Sequence, residues 1–432
     1  MKTAAFYTLG CKVNQYETEA ISELFKDRGY EIKDFSDYAD VYVINTCSVT
    51  AMSDRKSRQI IRRAKKQNPD SIVVVTGCYA QVSPDEVMKI EGVNLVIGTN
   101  EKSTIPDAVQ NLRGQREAFV YDISHTRTFE KMQVTSYENM TRAYIKIQEG
   151  CNQFCSYCII PYARGPIRSR APKEVTDEAR ALVAQGFTEI ILVGIHIASY
   201  GLDRKDTSLA DIILAIDQIE GVKRIRLSSI EPMTLNSEFI KKISPAQKLC
   251  PHFHLSLQSG CDSTLKRMNR RYTTDEYAQI VSSIRRHFKD AAITTDVMVG
   301  FPGETEEEFR QSAEFVKRME FSDIHIFKYS IRPGTPAAEY KDQISPPIKD
   351  QRSKALERIR QDSEKNYLSQ FVGKKVEVLF EQPSEKYPGW FEGKTDNYIT
   401  VLVPAHEDFS FLYKYVRLDR VVDGGIKGEI IE

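Results

Sequence analysis

Six cysteines carry the most chemistry in this chain. Cys151, Cys155 and Cys158 stand in EGCNQFCSYC, a C-x3-C-x2-C spacing. So tight a spacing lets one loop wrap an iron–sulfur cubane and present a thiolate to each of three irons. The fourth iron then keeps an open position, as catalytic metal sites do and closed structural sites do not. An open iron can chelate a small molecule. Zinc is the competing reading, but it would want a clear fourth Cys or His nearby. Cys11, Cys47 and Cys78 end the segments TLGC, INTC and VTGC, each closing an apolar run. In an open parallel sheet the carboxyl ends of neighbouring strands line one crevice. Three cysteines tens of residues apart are therefore expected to converge, with following helix N-termini favouring thiolate charge. The alternative is three separately buried cysteines, a common fate for the residue. Placement at every strand end favours a second three-cysteine cluster. Cys250 and Cys261 fit no ligand pattern and read as structural.

The elements that must hold these residues follow from periodicity. Over residues 1–112, short apolar runs (Ala4 to Leu9, Val41 to Ile44, Ile72 to Val75, Leu95 to Ile97) alternate with helical spacing. That pattern predicts right-handed βαβ units and an open parallel α/β domain. Residues 113–140 lose the rhythm and read as a surface connector. Six further β/α units between 141 and 370 predict a partial (β/α)6 barrel, with its active site at the carboxyl ends of the strands. Residues 371–432 show short strands and turn chemistry, which suits a small antiparallel β-barrel.

Composition agrees with three domains. The 432 residues are 41% hydrophobic and 28% charged, a globular balance that excludes a disordered or fibrous chain. Sixty basic residues match sixty acidic ones, so nucleic-acid contact must come from local patches. The mean hydropathy of −0.41 accompanies no run long enough to span a bilayer. The N-terminus MKTAAFYTLGCK is a poor signal peptide and a good first strand. The expected compartment is a reducing cytoplasm, where cysteines serve as ligands more often than as disulfides.

The spacing around Cys151, with Tyr157 just before the last cysteine, resembles the radical S-adenosylmethionine superfamily. With LGCKVNQYETE, VINTCSVT, VTGCYAQ, HLSLQSG and VGFPGETEEEF, the whole chain resembles the methylthiotransferases, including a C-terminal module similar to the TRAM barrel. That resemblance implies two [4Fe–4S] clusters and S-adenosyl-L-methionine. The cluster at Cys151, Cys155 and Cys158 would cleave S-adenosylmethionine to a 5′-deoxyadenosyl radical. The cluster at Cys11, Cys47 and Cys78 would deliver a methylated sulfur to C2 of an adenine. LGCKVNQYE, GIHIASYG and LSSIEP look most like the branch acting on threonylcarbamoyladenosine in tRNA. Rival readings are an isopentenyladenosine enzyme, a ribosomal-protein methylthiotransferase and a non-catalytic iron–sulfur carrier. Expected partners are the tRNA anticodon stem-loop, an electron donor such as flavodoxin or ferredoxin, and a sulfur source. No membrane is involved, and the chain is expected to act as a monomer.

Other polar residues at strand ends are candidates for holding the cofactor: Gly194, His196, Ser229, Glu231, Gln258 and Asp296. Val299 and Gly300 are expected to let the adenine approach the backbone. A lone His is more often structural, and Asp or Ser often caps the next helix. A threonylcarbamoyl group carries a carboxylate, which needs a cation in a partly dry site. Arg164, Arg270, Arg271 and Arg332 are the arginines expected to supply it. The C-terminal module has 8 Lys and Arg against 11 Asp and Glu. An RNA grip there must come from a local stripe, with Lys374, Lys375, Lys394 and Arg417 as candidates.

Overall fold

The computed structural model describes residues 2–135, 137 and 140–431. Its first sheet holds β1 (Thr3–Thr8), β2 (Glu31–Lys33), β3 (Val41–Thr46), β4 (Ile72–Gly77), β5 (Leu95–Ile97) and β6 (Glu117–Phe119). All pairings are parallel, in the order β2-β1-β3-β4-β5-β6. The central strands β3 and β4 are buried along almost their whole length, which suits their Val- and Ile-rich sequences. β6 lies in the stretch read as a connector, and that stretch is more tightly held than its polarity suggested. Met132, Val134 and Tyr137 are buried in the core shared by the first two domains. The Tyr16 hydroxyl donates to the Met132 carbonyl at 2.9 Å.

The second domain contains β7 (Ala143–Glu149), β8 (Arg168–Ser169), β9 (Glu189–Gly194), β10 (Arg224–Leu227), β11 (His252–His254), β12 (Ala292–Val299) and β13 (Asp323–Lys328). The six expected barrel strands are present, with β8 added as a short antiparallel partner of β7. The barrel wall falls into two pieces, β10-β9-β7-β8 and β11-β12-β13. Single bridges at Ile225–Leu249 and Ile230–Leu255 join them. A 24-residue helix, Pro346–Ser369, then packs along β13 and leads to the last domain.

There β14 (Lys375–Pro383), β15 (Trp390–Lys394), β16 (Thr400–Pro404), β17 (Tyr413–Val422) and β18 (Gly425–Ile430) close a barrel in the order β14-β15-β16-β18-β17. One pairing, β16 with β18, is parallel rather than antiparallel. The barrel is docked by arginines of the second domain. Arg224 donates to the Lys394 and Glu377 carbonyls, and Arg226 to those of Thr395 and Asp396. Among the described residues no helix is long and apolar enough to cross a membrane.

Candidate functional site

The N-terminal cysteines sit at the carboxyl ends of the three central strands. Cys11 caps helix Lys12–Asp27, Cys47 follows β3, and Cys78 opens helix Cys78–Val82 directly after β4. Gly10 is needed between them. Its φ is +102°, and a Cβ there would lie 2.9 Å from the Cys47 Sγ. Burial pushes the Cys47 thiol up to about 11, with Cys78 and Cys11 adding to the shift. Burial also raises Cys11, against the pull of Arg164.

Beneath this triad lies a buried charge network that sequence reasoning missed. Arg164 is fully buried and donates through Nε to the Cys78 Sγ at 3.2 Å. Its Nη1 reaches Glu17 at 2.7 Å and Glu149 at 3.2 Å, and its Nη2 holds Asn14. Lys102 and Lys146 also pair with Glu17, at 2.9 and 2.6 Å. Burial alone would push the Glu17 carboxyl up, but Arg164, Lys102 and Lys146 overcome it and hold it well below the usual range. Lys102, Lys146, Arg164 and Arg168 outnumber Glu17 and Glu149, and all six are buried. An anionic thiolate cluster at Cys78 would neutralise that excess, so the surroundings fit an iron–sulfur group. The available signal was Glu17 on an otherwise core-facing stretch of its helix, but its partners are remote in sequence.

The second triad is local. Cys151 and Cys155 are buried, and Cys158 is half-buried, in the loop between β7 and helix Ile160–Arg164. Burial pushes Cys151 up to about 11 and Cys158 to about 12, and Cys155 raises both further. Dry, crowded thiols resist ionisation unless a metal cation stabilises the thiolate, so this donor set also fits a cluster. The turn after helix Asp262–Arg267 braces the loop. The Ser156 N–H donates to the Met268 carbonyl at 3.0 Å, and Asn269 Nδ2 to the Phe154 carbonyl at 2.9 Å. Tyr157 packs against the cluster of Met268, Phe301 and Tyr329 rather than standing free.

Three of the four arginines expected to meet substrate are engaged elsewhere. Arg164 is in the network just described. Arg270 donates to Glu231 at 2.7 Å, to the Ser256 carbonyl at 2.9 Å and to the Cys155 Sγ at 3.4 Å. Arg332 reaches across to Asp54 at 2.7 Å and to Ser48, just beyond Cys47. Arg271 is exposed on the surface. Two of these arginines therefore clamp the barrel onto the first domain, and a third braces the Cys155 loop.

Several candidates line a cavity of about 1040 Å³ where the three domains meet: Cys11, Gly194, Ser229 and Asp296 among them. Val49, two residues past Cys47, and Ile160, two past Cys158, line it too. Asp296 is held between His254 Nε2 at 3.2 Å and His325 Nδ1 at 3.3 Å. Burial would raise its carboxyl, but the two imidazoles hold it well below the usual carboxylate range. Gln258 serves the backbone, its N–H donating to the Asp296 carbonyl from a φ of +67°. The His196 N–H donates to Gln148 Oε1 at 2.7 Å, and its Nδ1 lies 2.5 Å from Ser199 Oγ. Its Nε2 faces Glu231 at 3.8 Å with no hydrogen-bond partner. Val299 is buried, and the bare face of Gly300 lies against Lys349 of the long helix. That space is taken by protein.

Comparison with known proteins matches two separate stretches of the chain. A family model described as uncharacterized protein family UPF0004 matches residues 3–98, and the radical SAM superfamily model matches 145–316. The threonylcarbamoyladenosine tRNA methylthiotransferase MtaB of Bacillus subtilis is 46% identical over 94% of this chain and 92% of its own. The MtaB of Aquifex aeolicus is 39% identical over 96% and 99%. A tRNA-2-methylthio-N(6)-dimethylallyladenosine synthase of Dictyoglomus thermophilum is 34% identical over 98% and 97%. Among solved structures, the radical S-adenosylmethionine methyltransferase TsrM of Kitasatospora setae superposes with a TM-score of 0.57 at 17% identity. It covers 78% of this chain and 77% of that one, a likeness of fold.

Proposed function

Because the chain belongs to the radical S-adenosylmethionine tRNA methylthiotransferases, we propose that it converts N6-threonylcarbamoyladenosine at position 37 of the anticodon loop to its 2-methylthio derivative. The observation that carries this reading is the shared cavity. Cys11 of the first triad and Ile160, beside the second, open on one space large enough for a modified nucleoside. Cys151, Cys155 and Cys158 hold one [4Fe–4S] cluster, and Cys11, Cys47 and Cys78 hold the other. With S-adenosylmethionine bound, the first cluster supplies a radical able to take hydrogen from C2 of the adenine, and the second supplies methylated sulfur.

The chain's own residues orient and shield these groups. Gly194, Ser229 and Asp296 border the cofactor and substrate space, and His196 stands behind them against Glu231. Glu231 and Gln258 keep the neighbouring loops in place through Arg270 and β12. Arg164 and Arg332 fix the first domain over the barrel mouth, so the two triads face one substrate. The adenine must be unstacked to enter, which favours a single-stranded loop. The reaction takes place in the cytoplasm, with a flavodoxin- or ferredoxin-like electron donor and a sulfur source as partners, and the chain acts as a monomer. The test is mass spectrometry of tRNA nucleosides from a strain lacking the gene. Loss of the 2-methylthio threonylcarbamoyl nucleoside, restored by the parent gene, is the expected result. An unchanged nucleoside profile rejects the reading.

A further inference from the structure

With Arg164, Arg270 and Arg332 committed to other partners, the cavity still contains cations, at the end bounded by the C-terminal barrel. Tyr398, in the loop between β15 and β16, enters there with a φ of +70°. Its ring stacks on His252 at 4.8 Å and 17°. Arg226, Lys394 and Arg142 lie 4.8, 5.1 and 5.3 Å from its centre. The arginines are satisfied: Arg142 by Glu381, Arg226 by Glu189 and two carbonyls. Lys12 and Lys394 are not. Lys394 Nζ has the Thr400 hydroxyl at 2.6 Å, and Lys12 Nζ the Tyr144 ring at 6.0 Å. Among the described residues neither has a carboxylate within ion-pair distance.

Two neighbours register the resulting positive field. Burial should push the Tyr398 phenol up, but Arg142, Lys12 and Lys394 bring it below its ordinary value. His252 is held well below its ordinary value by burial, then by Arg226, His254, Lys12 and Lys394. A third sign is Ser228, on the same cavity wall, whose shielded hydroxyl has no hydrogen-bond partner. Lys12 is exposed and Lys394 half-buried where they line this cavity. Two ammonium groups without a carboxylate partner and a hydroxyl without a hydrogen-bond partner around one space suit an anion that also carries polar groups.

We infer that Lys12 and Lys394, with Ser228 lining the same cavity, form the subsite that binds the carboxylate of the threonylcarbamoyl substituent. This rests on the substrate reading above and deepens it. The subsite joins two domains: Lys12 follows Cys11 on the first, and Lys394 ends β15 of the last. The C-terminal barrel therefore contributes to choosing the base as well as to gripping RNA. An RNA phosphate is the other anion this chemistry could take, and the choice of substrates separates them.

The test uses the reconstituted holoenzyme and anticodon stem-loops carrying threonylcarbamoyladenosine, its carboxyl methyl ester, or plain adenosine. Lys12→Met and Lys394→Met should each weaken binding of the acid about tenfold or more, as for a lost charge-assisted contact. Binding of the ester and of plain adenosine should stay at the parent level. Lys394→Arg should restore most of the preference for the acid. Equal losses on all three RNAs would assign the lysines to phosphate, and unchanged affinity for the acid would remove them from the site. Either outcome overturns the inference. Iron content checks both variants, because Lys12 follows Cys11 and Lys394 lines the same cavity. A parent enzyme with no preference for the acid would instead reject the substrate reading itself.

Discussion

The two cysteine triads present the same donor atoms by opposite routes. Cys151, Cys155 and Cys158 come from one loop, and their spacing alone brings them together. Cys11, Cys47 and Cys78 come from three strands, and only the parallel register of β1, β3 and β4 aligns them. Their supports differ accordingly. The loop triad is braced by one neighbouring turn and by Arg270. The strand-end triad rests on Arg164, whose partners Asn14, Glu17 and Glu149 come from two domains. A site assembled from distant segments needs a long-range clamp, and here the clamp is a buried cation network.

The largest expected effect separates the two triads outright. Changing Cys151, Cys155 and Cys158 together to Ala should abolish S-adenosylmethionine cleavage and leave about half the iron. Changing Cys11, Cys47 and Cys78 should leave cleavage measurable and stop methylthio product. Product at the parent rate from the second variant would refute the division of labour.

Arg164→Met should injure the strand-end triad selectively. It strands Glu17 and Glu149 with fewer partners, a loss of about 3–5 kcal/mol for a broken buried pair. The N-terminal iron should be lost on gel filtration while S-adenosylmethionine cleavage persists. Loss of iron from both sites equally would mean that the network supports the whole chain rather than one triad.

The smallest effect concerns the end of helix Asp262–Arg267, where the Arg267 carbonyl accepts from the Ser156 hydroxyl of the Cys155 loop at 2.8 Å. Arg267 holds Glu308 at 2.7 Å and brings its carboxyl down to about 2. Because the folded value is depressed, this stabilisation is present above the ordinary carboxylate range and is lost as pH falls towards 2. The pair is partly exposed, so Arg267→Met should cost only about 0.5 kcal/mol at neutral pH. The gap between parent and variant denaturation midpoints should narrow below the ordinary carboxylate range and close only as pH approaches about 2. A gap that widens in acid would show that Arg267 acts through something other than Glu308.

Much of this was legible in the chain, and the reasons are local. The C-x3-C-x2-C spacing, the three apolar runs ending in cysteine, and the β/α alternation depend on neighbours within a few residues. The three-residue strands Glu31–Lys33 and Glu117–Phe119 were not legible, because so short a segment has no period to read. Nor was the burial of Met132, Val134 and Tyr137, whose polar neighbours resemble any surface loop.

Sequence by itself picked out both cysteine triads as candidate ligand sets, the parallel and partial-barrel architecture, and the need for a cation if the substrate carries a carboxylate. Tertiary structure alone decided which cations are free to meet it. Arginine type and strand-end position pointed to Arg164, Arg270 and Arg332, but a charge's availability depends on what packs against it. Glu17, Glu231 and Asp54 come from elsewhere in the chain and engage all three. Among the described residues Lys12 and Lys394 have no carboxylate within ion-pair distance, and Glu189 and Glu381 act on them only from farther off. A sequence lists its charges, and folding decides which of them are neutralised.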